Sequence, residues 1–106
     1  MRLIDVHINC PDAATAMKIG EKLIENRLAA CANVGSAIAS IYSWQGKVER
    51  AREFPLTVKT RAEHFADIAA QVAAMHPFEV PAITTTEIVD ASPAYRDWLV
   101  EETTPA

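Results

Sequence analysis

Four side chains in this 106-residue chain have the chemistry to hold a soft or borderline metal ion: His76, Cys10, Cys31 and Glu79. Imidazole and thiolate suit copper and zinc, and a carboxylate adds charge. His76 stands just before Pro77, which forces the chain out of helical geometry and fixes the imidazole at a helix end. There it reads either as a ligand or as a hydrogen-bonding residue that complements the negative end of the helix dipole. Glu79 follows three residues later, but Pro77 intervenes, so spacing alone does not make the two share an ion. Cys10 closes a strand directly before a helix N-terminus, a place that can ease loss of a thiol proton. Its other reading is packing. Cys31, set among alanines, reads as a buried small hydrophobe, with ligation as the alternative. The two thiols are far apart and lack Cys-x-x-Cys spacing, which argues against a disulfide framework or a zinc knuckle. No Gly-x-Ser-x-Gly elbow, phosphate-cradling glycine loop or His-Glu-x-x-His is present, and Glu101-Glu102 reads as solvated. The expectation is a protein that binds and does not catalyse. His7 and His64 read as a strand-face and a helix-surface residue.

The elements that must position these groups follow from periodicity. Leu3 to Cys10 alternates, with Ile4, Val6, Ile8 and Cys10 on one face and Asp5, His7 and Asn9 on the other, as a half-buried strand does. Asp12 is a good N-cap for a helix from Ala13 to about Asn26, whose buried stripe is Ala16, Ile19, Gly20, Leu23 and Arg27, with Ile24 beside it. Gly20 on that stripe implies close approach to a sheet. Leu28 to Val34 is small and apolar and reads as buried on both sides. Ile38 to Trp44 forms one arm of a long hairpin, Gln45-Gly46 its turn, and Lys47 to Thr60 the other arm. Pro55 inside that arm implies an edge or a bulge. Thr60 and Glu63 have capping-box spacing for a helix carrying Phe65, Ile68, Val72 and Met75, which Pro77 stops. A strand from about Ala82 to Val89 follows. Ser92-Pro93 then caps a short helix bearing Tyr95, Trp98 and Leu99.

The order β-α-β-β-α-β plus a C-terminal helix predicts a single α+β domain over 1–106 of ferredoxin-like arrangement, with both crossover helices on one sheet face. Ile41, Tyr42, Trp44 and Phe54 lie along a hairpin too long for so short a chain to hide, which points to subunit contact. The alternative is a hairpin folded back on its own sheet. Half the residues are apolar, 23% are charged, and the net charge is -4, a globular composition. An acidic domain without a Lys/Arg cluster is a poor partner for nucleic acid. No apolar run approaches the roughly 18 residues of a membrane span. Strand pattern begins at once, without the apolar stretch of a signal peptide, so the expected location is the cytoplasm.

Several segments resemble the CutA divalent-ion tolerance family. Asn9-Cys10-Pro11-Asp12 and Arg27 to Asn33 look like its opening, with Cys31 at the family cysteine of Ala-Ala-Cys. Ser40 to Glu49 and Lys59-Thr60 resemble its hairpin, and Tyr95 to Leu99 its C-terminal Tyr-x-x-Trp-Leu. His76-Pro77-Phe78-Glu79-Val80-Pro81 resembles its second signature, with Phe78 where Tyr is usual. The likeness covers nearly the whole chain in order. It implies a ferredoxin-like subunit in a tight homotrimer, similar to the PII signalling proteins, with no required cofactor and with copper or another divalent cation as a possible guest. Two positions depart from the pattern. Ile8 stands where some members have a cysteine, and Ala82 where many have Glu, so a soft ligand and a carboxylate are missing there.

Within such a trimer, Tyr42, Trp44, Lys59 and Phe78 are expected to line a cleft between subunits, where a small anion or a metal complex would sit. Interface packing is the other reading of the group. Competing functions are weaker on the residues. An RNA-binding domain of this order needs an RNP-like aromatic pattern, and a copper chaperone needs Cys-x-x-Cys in its first loop; neither is present. A PII-like ligand sensor without a direct metal role remains as the alternative, and an enzyme working at subunit clefts as a more distant one.

Overall fold

The structure, a computed structural model, describes residues 1–106. The opening alternation forms β1 (Leu3–Cys10), with Ile4, Val6, Ile8 and Cys10 sealed and Asp5, His7 and Asn9 half exposed. Asp12 caps α1 (Ala13–Glu25) by accepting the Thr15 N–H at 2.7 Å. The buried stripe is Ala16, Ile19, Gly20 and Leu23. A Cβ on Gly20 would lie 3.1 Å from the Ala32 Cβ, so α1 rests almost directly on the neighbouring strand. Arg27 leaves the expected stripe because it lies past the helix end in the left-handed region, with φ 58°. Ile24 is exposed.

The small apolar segment is not buried on both sides. Ala29 and Ala30 are sealed, but Cys31 opens the short strand β2 (Cys31–Val34) and is only half buried, because β2 lies at the side of the sheet. The hairpin arms are β3 (Ile38–Trp44) and β4 (Lys47–Arg61), and Gln45 and Gly46 both take positive φ, the geometry of a tight two-residue turn. After α2 (Phe65–Met75) come β5 (Ile83–Ile88) and α3 (Pro93–Glu102). The main strand order is β2-β4-β1-β5, every pairing is antiparallel, and β3 pairs with the distal half of β4. The fold is thus mixed α+β, one antiparallel sheet with three helices. No helix is long and apolar enough to cross a membrane.

The core lies between the sheet and α1 and α2, where Ile19, Leu23, Ile68 and Val72 meet Val6, Ile8, Leu56 and Val58. Helix α3 protects one end of the opposite face, with Leu99 packed on Leu3 and Ala30. Its last turn leaves carbonyls without helical partners. Three cationic or imidazole side chains take them: Arg27 donates to the Glu101 and Thr104 carbonyls, Arg61 to that of Val100, and the His64 ring bonds that of Thr103. His64 therefore has a partner at 2.7 Å instead of lying free on a helix surface.

Three local expectations are corrected. Pro55 is in an interior strand, opposite Asn9 of β1, and not at an edge. Its carbonyl accepts the Gly35 N–H at 2.9 Å, so its missing donor faces the interruption between β2 and β3. The bulge expected with Pro55 is on the partner: Val34 faces Leu56 while Ile38 faces Glu53, so four steps along one side match three along the other. Gly35 is required there, since a Cβ would fall 2.9 Å from the Pro55 ring. Thr60 is not a helix cap. It is the sealed penultimate residue of β4, and its hydroxyl donates to the Leu28 carbonyl at 2.5 Å, while a 3-10 turn (Ala62–His64) leads into α2. Ser92 likewise makes no side-chain cap; its carbonyl accepts the Arg96 N–H, and Pro93 begins α3.

The hairpin does not fold back. It carries the molecule to 45 Å in length against 25 and 22 Å in the other directions, and leaves Ile41 68% and Val48 70% exposed.

Candidate functional site

A cleft of about 690 Å³ lies where the hairpin passes the segment joining α2 to β5. The two-residue turn sets Trp44 opposite Lys47, and the same register carries down to Ile38 opposite Glu53. Residues paired across antiparallel strands share a face. Ser40, Tyr42, Trp44 and Glu53 therefore point the same way, into the cleft, where Asn9 of β1 joins them. The other wall is made by Pro77, which ends α2, and by Phe78, Glu79, Val80 and Ala82 after it.

His76 holds that wall and does not line it. It is 7% exposed, and both ring nitrogens are engaged: one is 2.7 Å from the Asn9 carbonyl and the other accepts the Phe78 N–H at 3.1 Å. A carbonyl only accepts and a backbone N–H only donates, so the proton is on Nε2. Phe78 packs on the imidazole with ring centroids 4.7 Å apart. Neither nitrogen keeps a lone pair for a metal, and the hydrogen-bonding reading describes His76 as it stands.

The other proposed ligands are dispersed. Cys10 is fully sealed, and burial, reinforced by the negative charges of Asp12 and Glu53, pushes its thiol up to about 11. The helix N-terminus after it does not yield a thiolate, because desolvation outweighs it. Cys31 lies on the sheet face opposite α1 and α2, its Sγ 3.7 Å from Asn33 Oδ1. Glu79 alone of the four lines the cleft. No three His, Cys, Asp or Glu side chains converge anywhere to hold an ion. Ile8 is in the core, and Ala82 lines the cleft where a carboxylate would have added a donor.

Of the expected cleft group, Tyr42, Trp44 and Phe78 come together, and Lys59 does not. Lys59 shares the sheet face of Glu53 but lies toward the other end of β4, across from Cys31 and Asp5, where its Nζ donates to Asp5 at 2.9 Å; that bond raises its pKa above the ordinary lysine value. Tyr95 reaches the same cluster, its phenol held up by burial and then by Cys31. His7, on that face too, bridges Thr57 and Thr86. The cleft itself is formed within one chain, between two of its own segments.

Glu53 was not anticipated. It is 9% exposed, lines the cleft, and makes no ion pair. The signal was available: a tight turn at Gln45-Gly46 puts Glu53 on the face of Tyr42 and Trp44.

Residues 4–102 match the family model described as "CutA1 divalent ion tolerance protein". The chain is 41% identical over 98 residues to the Divalent-cation tolerance protein CutA of Thermus thermophilus, covering 92% of this chain and 95% of that one. It is 37% identical over 97 residues to the Protein CutA homolog of Danio rerio, of which it spans 65% and which covers 92% of this chain. The solved structure of the Thermus thermophilus protein superposes with a TM-score of 0.93 at 39% identity, across 96% of this chain and 99% of that one. Hairpin, His-Pro segment and C-terminal helix all fall within the matched span, and this chain belongs to the CutA1 divalent ion tolerance family.

Proposed function

We propose that this chain serves divalent-cation tolerance as a cytoplasmic homotrimer of PII-like architecture, and that it acts by binding a small ligand in the hairpin cleft, without a resident copper ion. The observation that carries this reading is the convergence of Tyr42, Trp44, Phe78, Glu79 and Glu53 on one concave surface. Chemistry of the donor sets favours a ligand over a resident metal. His76 has both nitrogens occupied, Cys10 is held as a thiol, and Cys31 and Glu79 are on different surfaces.

The trimer is supported by two unpaired sheet edges and an apolar overhang. β3 pairs only with β4 and β5 only with β1, so each has a row of free backbone donors and acceptors. Joining one copy's β3 edge to the next copy's β5 edge is a head-to-tail contact that can close into a ring. It would cover exposed Ile38, Ile41 and Val48. Two unbridged cysteines accord with a reducing compartment. Sedimentation equilibrium at micromolar concentration should give about three times 11.6 kDa, and a species of 11.6 kDa alone would reject the assembly. Calorimetric titration of metal-free protein with copper(II) and zinc(II) tests the rest. Weak isotherms unchanged by His76→Ala agree with the ligand reading, whereas a tight site lost in that variant would restore the metal centre.

A further inference from the structure

Taking the cleft as a ligand site, we infer that its ligand is an organic ammonium ion carrying N–H donors, bound with its charge on Glu53 and its alkyl portion between Tyr42, Trp44 and Phe78.

Three observations converge on this class. The first is charge. The cleft is lined by two carboxylates, Glu53 and Glu79, and by no lysine, arginine or histidine. Lys59, the cation that would have suited an anionic ligand, is tied to Asp5 toward the other end of the sheet. An anion would meet only like charge.

The second is the state of Glu53. Its side chain is nine-tenths buried, has no ion pair, and appears in no side-chain hydrogen bond of the chain. No sealed side-chain oxygen in the structure lacks a partner, so the Glu53 oxygens are not walled in: they open onto the cleft. The neighbouring cation Arg52 turns to the opposite side of β4, over the Phe54 ring at 5.9 Å. A carboxylate that opens onto an apolar cleft without a protein donor is a vacant position for a cation, and a bound ammonium supplies both the charge and the N–H groups it lacks.

The third is the aromatic lining. Tyr42, Trp44 and Phe78 are each 38 to 43% exposed, a large apolar surface to leave uncovered. Aromatic faces attract cations and cover alkyl chains. A bare divalent ion would use none of that surface, and no three His, Cys, Asp or Glu side chains converge there to hold one. A quaternary ammonium would use the aromatics but leave Glu53 without donors.

The test uses the full chain with Trp98→Phe, so that Trp44 is the only tryptophan and reports on the cleft. Its fluorescence is followed at constant ionic strength against n-butylammonium, 1-butanol, tetramethylammonium and zinc(II). Saturable change with n-butylammonium is expected at a concentration at least tenfold below any response to 1-butanol, with tetramethylammonium weaker than the primary amine. Glu53→Gln should weaken amine binding about tenfold, the size of one charge-assisted contact. Tyr42→Leu, which leaves the carboxylates alone, should weaken it severalfold and serves if Glu53→Gln does not fold. Equal responses to amine and alcohol, or amine binding indifferent to both variants, would overturn the inference. Zinc saturation without amine saturation would overturn it too, yet leave the cleft as a binding site. Silence from every titrant would remove the binding site as well.

Discussion

His76→Ala is the substitution that best separates a strut from a ligand. The ring is sealed, and its removal strands the Asn9 carbonyl and the Phe78 N–H together. Two neutral hydrogen bonds contribute about 1 kcal/mol each, and leaving their partners unmet adds roughly another 1 kcal/mol. The tilted contact with Phe78 adds about 1 kcal/mol beyond area, and incomplete collapse of the vacated space about 1 more. Stability should therefore fall by about 5 kcal/mol, a large share of what a domain this size possesses. Urea unfolding at fixed protein concentration, in buffer with a strong chelator, measures it without any metal contribution. His76→Gln, which keeps a donor and an acceptor but loses the ring, should fall between. A loss below about 1 kcal/mol in chelator, growing when a divalent ion is supplied, would refute the reasoning: the imidazole would then matter as a ligand and not as the pin between Asn9 and Phe78.

Two further predictions test the groups around this frame. Cys10 has a folded-state pKa raised to about 11 from 9.0, so the unfolded chain releases the thiol proton first, and stability is fully present below pH 9 and declines as pH rises to about 11. The drop should be roughly 2 kcal/mol, read as the difference between the pH profiles of the natural chain and Cys10→Val, and parallel profiles would contradict it. Arg61→Met should cost about 3 kcal/mol, since a buried guanidinium bonded to the Val100 carbonyl and to the hydroxyls of Thr103 and Thr104 is lost from the end of α3. Arg61→Lys should recover less than half, because an ammonium cannot span the three acceptors; urea midpoints with Trp98 emission as the probe would show either failure.

Local patterns were read correctly where burial is one-sided and continuous. The alternation of β1, the Asp12 cap and the stop at Pro77 depend on neighbours a few residues away. What failed depended on distant partners. Thr60 has the spacing of a cap, yet its hydroxyl finds a carbonyl 32 residues earlier, and β4 runs on past it. Lys59 is adjacent to hairpin residues in sequence, but the strand takes it to the opposite end of the sheet from Tyr42. Cys31 among alanines looked sealed, and only the strand order shows that β2 borders open space. The aromatic members of the cleft were legible because exposed aromatics on a hairpin require a reason. Glu53 was not, since a lone glutamate in a charged run looks the same whether it faces water or a cleft.

The single extra residue between β2 and β3 decides which half of the hairpin meets the cleft. Along β2 the even-numbered Ala32 and Val34 share the helix-side face of Val58 and Leu56, but beyond Gly35 the even-numbered residues pair with Glu53, Ala51, Glu49 and Lys47 of the other face. Without that slip, Ala39, Ile41 and Ser43 would occupy the positions now held by Ser40, Tyr42 and Trp44, because strand side chains change sides at each step. The binding character of this molecule is thus written partly in chain length. Losing one residue from Gly35–Ala37 would conserve every aromatic side chain and still turn the whole arm inside out.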